Sequence, residues 1–343
     1  MFYKIFLLFS FLLSIAPQAD AEPNYHLVGW FNTVIPGGGQ YLLGNYTLGA
    51  VQTVLEAGTF FAGYNNSALS PLTLDGVPEQ LPTQVTNFSK INVKQKKCVY
   101  NSALKKTVCT TVNTTTTIGY AGDQDVDIKS ALYADWLQEF GLKYHMVNVY
   151  NSFREAAGPN ASIGTQSIDQ TSTNKLFLAP FQWKNLSDNW IYPAIIFSGA
   201  VLIYNYNSAI KNGDFTTISA LNKGSQRLYD FTYLGVFPTG SAAPEEMFYR
   251  GFFQYEMYGI EQSPFFSIAL SSIAYSFSHS SGDRLSAGLT GAYLGWLTHK
   301  DHGALSKAIT YHFWADVLAG IYQISVVRKE SGKVPLFNFQ LTF

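Results

Sequence analysis

Charge is scarce in this chain. Asp, Glu, Lys and Arg make up 13% of its 343 residues, against about 25% in ordinary soluble domains. The 22 basic and 23 acidic residues nearly cancel, for a formal charge of −1. No basic excess is present to track a phosphate backbone, so nucleic acid is set aside as a partner. Thiols are almost missing: Cys98 and Cys109 are the two cysteines. No Gly-x-Ser-x-Gly elbow presents a serine nucleophile. The stretch Gly37-Gly38-Gly39 lacks the Gly-Lys-Ser/Thr that completes a phosphate loop.

What is abundant is apolar and aromatic. Apolar residues reach 47% and aromatics 16%, with 22 Tyr and 26 Phe. Low charge with many rings suits a chain that lies partly in lipid and anchors at its interfaces. Mean hydropathy is only +0.03, so long polar stretches dilute the apolar ones. The first residues read as a secretory signal over 1–21. Lys4 is the positive start, Ile5 to Ala16 the apolar run, and Ala19-Asp20-Ala21 the small-residue site before Glu22. An uncleaved first membrane helix is the alternative, but the run is shorter than the ~20 residues a span needs.

Residues 22–64 form a Gly-rich apolar segment, broken at Pro36 to Gly39, with a membrane helix expected from about Thr47 to Tyr64. Glu56 interrupts that helix. An acidic group at membrane depth is a functional candidate, although a helix-end or interfacial place is expected for it. Residues 65–182 read as a polar extramembrane region. A β-hairpin is expected around Cys98 and Cys109, and the export signal makes a disulfide between them plausible. Lys90, Lys94, Lys96, Lys97, Lys105 and Lys106 crowd the same loop and argue for a cytoplasmic side. Sidedness stays open.

Residues 126–157 have helical periodicity. Ala131, Ala134, Leu137, Phe140, Leu142 and Val147 alternate with Asp135, Glu139 and Lys143. Such a helix lies on a membrane surface or packs on a neighbour. Residues 158–175 read as a linker. From 183 to 327 a multi-pass domain is expected. Trp190 to Tyr206 is uncharged for seventeen residues with aromatic ends, and four more apolar segments follow at about 229–258, 264–277, 285–297 and 304–327. Residues 328–343 are a tail. The fold class is thus all-α, a polytopic transmembrane helical bundle with a polar, partly irregular extramembrane N-terminal region. The alternating ending LFNFQLTF suggests an outer-membrane barrel, but such strands do not recur along the chain.

Ionisable residues interrupt three of these apolar segments. The first carries Pro244-Glu245-Glu246 followed by Arg250-Gly251, the second ends on Tyr275 and His279, and the last holds His312 and Asp316. Glu246 and Arg250 share a helical face, as do His312 and Asp316. Pro244 suits a first helical turn, which would set both glutamates near a positive dipole end. Charged groups in membrane helices are costly and usually face an interior cavity.

The order Glu-Glu-x-x-x-Arg, aromatic-x-x-x-His, His-x-x-x-Asn/Asp resembles the CAAX-protease and bacteriocin-processing (CPBP or Abi) family of intramembrane endopeptidases, over about residues 229–326. Tyr275 stands where phenylalanine is usual, and Asp316 where asparagine is commoner. The resemblance implies an intramembrane glutamic endopeptidase in which Glu245 activates a water. A glutamate buried among apolar groups is tuned toward the pKa a general base needs. Glu246 would hold the base or pair with Arg250, and His279 would help place the water. His312 would donate to the oxyanion, oriented by Asp316. Neither cysteine lies near these residues, so covalent catalysis is not expected. The implied partners are a membrane-embedded or lipid-anchored protein or peptide substrate and the lipid bilayer. The implied place is the bacterial inner membrane, with no cofactor. Zinc at the same residues is an alternative, although their spacing is not His-Glu-x-x-His. A non-catalytic membrane scaffold is the other.

Overall fold

A computed structural model describes residues 24–67, 87–101, 106–120, 128–212, 227–228, 230–279 and 283–328. The expected signal at 1–21 and the tail beyond residue 328 lie outside them. The chain divides into two compact units, Pro78–Asp127 and the remainder.

The small unit holds a hairpin of β1 (Asn87–Asn101) and β2 (Lys106–Tyr120), which pair antiparallel. Val, Ile and a run of Thr supply the β-branched residues that strands favour. The register sets Cys98 directly opposite Cys109. Opposed Cα atoms in such a ladder lie about 4.5–5.5 Å apart, within the span of a disulfide.

The large unit is helical. Its first helix, α1 (Tyr25–Val34), is capped by the Asn24 side chain, which accepts from the His26 N–H. Pro36 follows, and Gly37 turns the chain at φ 74° into the short α2 (Gly38–Leu42). A Cβ on Gly37 would sit 2.2 Å from the Gly49 carbonyl oxygen, so the turn requires glycine. Next come α3 (Tyr46–Ser67) and the long α4 (Ile128–Ala157).

Of the two expectations for α4, packing on neighbours holds. Gly141 lets its backbone approach α3, where a Cβ would meet Thr59 Oγ1 at 2.7 Å. The opposite face carries Val147 and Tyr150 into the main apolar core with Ala243, Met247 and Phe252.

Residues 158–175 are no free linker. They contain the tiny ladder β3 (Ser162–Ile163) with β4 (Gln166–Ser167) and the start of α5 (Thr173–Phe177). Asp169 Oδ2 accepts from the Leu305 N–H at 2.8 Å, and Tyr150 donates to the Asp169 carbonyl at 2.8 Å. Ile168 and Leu176 are buried. The polar composition that suggested a linker instead ties this segment to the helices beneath. A 3-10 turn (Ala179–Phe181) and α6 (Trp183–Leu186) lead to α7 (Ile191–Asn212).

The next apolar segment is one unbroken composite helix. A π turn (Thr232–Val236) passes into α8 (Phe237–Glu246), a second π stretch (Met247–Phe253) and α9 (Gln254–Glu261). Pro244 therefore lies inside a helix and not at its start, so the expected dipole effect on the glutamates does not apply. The π stretch begins at the residue after Glu246, and such bulges recur at functional sites. Three helices complete the unit: α10 (Pro264–Phe277), capped by Ser263 with Pro264 in its first turn, α11 (Arg284–Lys300) and α12 (Ser306–Arg328).

Helix is thus the dominant structure, as expected. Among the described residues no helix is both long enough and apolar enough to cross a membrane. In α7 the apolar run that the sequence suggested is followed by Asn205, Asn207 and Lys211, and in the composite helix carboxylates and glycines dilute it.

Candidate active site

Three helices bring the sequence motifs together. Glu245 and Glu246 come from the end of α8, Tyr275 from α10 with His279 just past its end, and His312 and Asp316 from α12. Glu246 is fully buried, and its Oε1 accepts two hydrogen bonds, from Arg250 Nη1 at 3.1 Å and from His312 Nδ1 at 2.8 Å. Arg250 is fixed in turn: its Nη2 donates to the Gly291 carbonyl at 3.1 Å, and its guanidinium lies 4.4 Å from the Tyr275 ring centre. Gly291 must be small there, since a Cβ would come within 3.1 Å of both groups.

His312 is held at Nδ1 by Glu246. Its Nε2 lies 3.2 Å from Tyr275 Oη, 3.7 Å from Glu245 Oε2 and 3.5 Å from Asp316 Oδ2. The orienting role expected of Asp316 therefore falls to Glu246. Asp316 stands on the outward side of the ring, where Ser241 Oγ donates to it at 3.1 Å. The i,i+4 spacing foresaw the proximity of His312 and Asp316 but not which ring nitrogen would face it. His279 donates from Nδ1 to the Tyr275 carbonyl at 2.8 Å and lies tilted against that ring, 4.4 Å between centres.

Glu245 is 6% exposed. Its Oε1 accepts from Lys143 Nζ, while its Oε2 is buried without a hydrogen-bond partner. So it is not the carboxylate among apolar groups alone that the sequence suggested; a cation offsets it. Lys143 comes from α4 and was missed as a site residue. A signal was present: Lys143 shares the helical face of Met146, Val147 and Tyr150, all buried, and a lysine on a buried face needs a partner. The carboxylates of Glu139, Glu245, Glu246 and Asp316 outnumber the cations Lys143 and Arg250 here.

Lys143, Glu245, His279, His312 and Asp316 line one cavity of about 800 Å³. Glu139, Asn148 and Asn151 add to its polar lining, and Trp136, Phe140, Leu142, Tyr233, Phe237 and Pro238 supply apolar walls. Among the described residues no group of His, Cys, Asp or Glu is arranged to hold a metal ion.

Another buried carboxylate, Glu56, does not line the cavity. Glu56 was expected at a helix end or interface. It lies instead within α3, 3% exposed, with Oε2 2.6 Å from His145 Nδ1 and Oε1 2.5 Å from Asn148 Nδ2.

Buried carboxylates, an imidazole and a guanidinium are thus gathered beside one cavity. Residues 228–318 match a family model, that of the type II CAAX prenyl endopeptidase, Rce1-like. The match falls on the C-terminal third that carries Glu245, His279 and His312, so the resemblance read from those motifs is borne out. No curated protein and no solved structure matches the chain. The matched segment excludes α4, and with it Lys143.

Proposed function

We propose that this protein is an intramembrane endopeptidase that hydrolyses a peptide bond of a membrane-associated substrate with water activated by Glu245. The observation that carries the reading is the unpartnered, buried Oε2 of Glu245, 3.7 Å from His312 Nε2, both residues lining the cavity. In this mechanism Oε2 takes a proton from water as the oxygen attacks the scissile carbonyl carbon. The carbonyl π electrons move to oxygen, and His312 Nε2–H with Tyr275 Oη–H donates to that oxyanion. Collapse of the tetrahedral species breaks the C–N bond, and the proton on Glu245 passes to the leaving amine. Glu246 holds the imidazole, Arg250 holds Glu246, and His279 helps place the water.

The apolar walls suit a lipid-anchored or membrane-embedded chain, and the family description points to a prenylated peptide. A membrane location, in a bacterial inner membrane on the style of the signal, is supported by large apolar side chains left exposed: Phe265 is 84% exposed, Leu285 77% and Phe197 70%. Helices tilted or half-crossing around a wet cavity reconcile this with their moderate hydropathy.

The test is Glu245→Gln in full-length protein purified in detergent, assayed on an internally quenched prenylated peptide. The amide keeps shape but takes no proton from water, so turnover should fall ~10²–10⁴-fold. Wild-type activity in this variant ends the reading. A chelator should leave the wild type active; inactivation reversed by zinc would replace this mechanism with the metal one.

A further inference from the structure

The base proposed above has two equivalent oxygens on a side chain with rotational freedom. Only one of them can face the water and His312 at a time. What decides which is a residue that no motif in the matched segment supplies. Lys143 Nζ contacts Glu245 Oε1, and Glu139 Oε2 lies 3.4 Å from the same ammonium. With Oε1 so held, Oε2 is the oxygen left toward His312 Nε2. Both partners are largely buried, with 14% and 7% of their side chains exposed. Buried cations of this kind are costly unless paired.

Lys143 is itself held from behind. One face of α4 is fixed on α3 and α1: Gly141 allows close contact, His145 and Asn148 grip Glu56, and Ser152 accepts from Asn32 Nδ2 at 3.0 Å. Lys143 projects from the opposite face, in register with Val147 and Tyr150 packed on the composite helix. The ammonium is therefore presented from a rigid support and not from a mobile loop.

We propose that Lys143 is a positioning residue of the active site, which pins one oxygen of Glu245, directs the other at the water and His312, and makes α4 an integral part of the catalytic centre. The inference rests on the endopeptidase reading. A salt bridge that merely joined α4 to α8 would alter folding and leave turnover per folded molecule unchanged. A positioning residue must alter turnover, because displacement of a reacting group by about 1 Å costs up to ~10²-fold.

The experiment compares Lys143→Met, Lys143→Arg and Glu245→Gln in the full chain, with the internally quenched prenylated peptide as substrate. Lys143→Met should lower kcat ~10–100-fold and leave KM within about twofold. Lys143→Arg, which keeps charge and donors, should recover most of the loss. If Lys143→Met fails to fold, Lys143→Gln carries the same comparison. An inactive Glu245→Gln beside a folded Lys143→Met or Lys143→Gln of wild-type kcat overturns the role of Lys143 and leaves the endopeptidase reading standing. So does a loss confined to KM, or an equal loss in the folded Arg and Met variants. An active Glu245→Gln overturns the endopeptidase reading itself.

Discussion

Glu56 and Glu245 invite comparison. Both are buried carboxylates on helices of the large unit, and both meet a basic residue from α4, His145 for one and Lys143 for the other. Two positions apart on a helix, these basic residues point to nearly opposite sides. The difference lies in the second oxygen. Glu56 has both oxygens engaged, by His145 and Asn148, and does not line the cavity. Glu245, which lines the cavity, has one oxygen engaged and the other buried without a hydrogen-bond partner. A fully satisfied carboxylate is a clamp; Glu245 and Glu246 each keep one buried oxygen without a partner, and of the two only Glu245 lines the cavity. Burial and a basic neighbour do not by themselves mark a catalytic group.

The contrast can be broken by exchanging the consequences. Glu245→Gln should remove activity by the ~10²–10⁴-fold given above and leave thermal unfolding in detergent near that of the wild type. Next in size is His312→Ala. It removes a donor to the oxyanion, worth about 10²–10³-fold, and leaves Glu246 with Arg250. Steady-state assay of this variant at wild-type kcat would separate His312 from the chemistry.

Glu56→Leu should do the reverse of Glu245→Gln. It leaves Asn148 and His145 without their buried acceptor, at about 1–3 kcal/mol for each unsatisfied group. Unfolding should shift down, while activity per folded molecule drops less than about tenfold, through looser support of Lys143. A Glu56 variant of normal stability and no activity would erase the distinction between clamp and base.

The smallest effect concerns the small unit. The register sets Cys98 against Cys109, and a two-stranded hairpin alone is marginal in water. A disulfide is expected in protein from an exporting host, with no loss of peptidase activity after reduction. Maleimide labelling of both thiols without reductant would show them free and favour the cytoplasmic side that the lysines suggest.

How much of this was legible beforehand varies by element. The pairs Glu246–Arg250 and His312–Asp316 could be read because residues four apart on a helix share a face whatever surrounds them. The hairpin could be read from its β-branched, polar composition. Residues 158–175 were misread because the side chains that make a loop polar also let Asp169 hold the Leu305 N–H. Pro244 was misread because proline marks helix starts more often than interiors, and here the helix had begun at Phe237.

By itself the sequence determined which chemical groups are present, in what helical spacing, and that neither a thiol nor a serine elbow joins them. The tertiary structure alone decided which oxygen of Glu245 stays open, which nitrogen of His312 Glu246 holds, and that Lys143 meets a glutamate 102 residues away. The reason is one of range. Helical periodicity fixes neighbours within a turn or two, whereas contacts between distant segments depend on how whole helices pack, and a one-residue rotation of α4 would exchange Lys143 for a different side chain at the base.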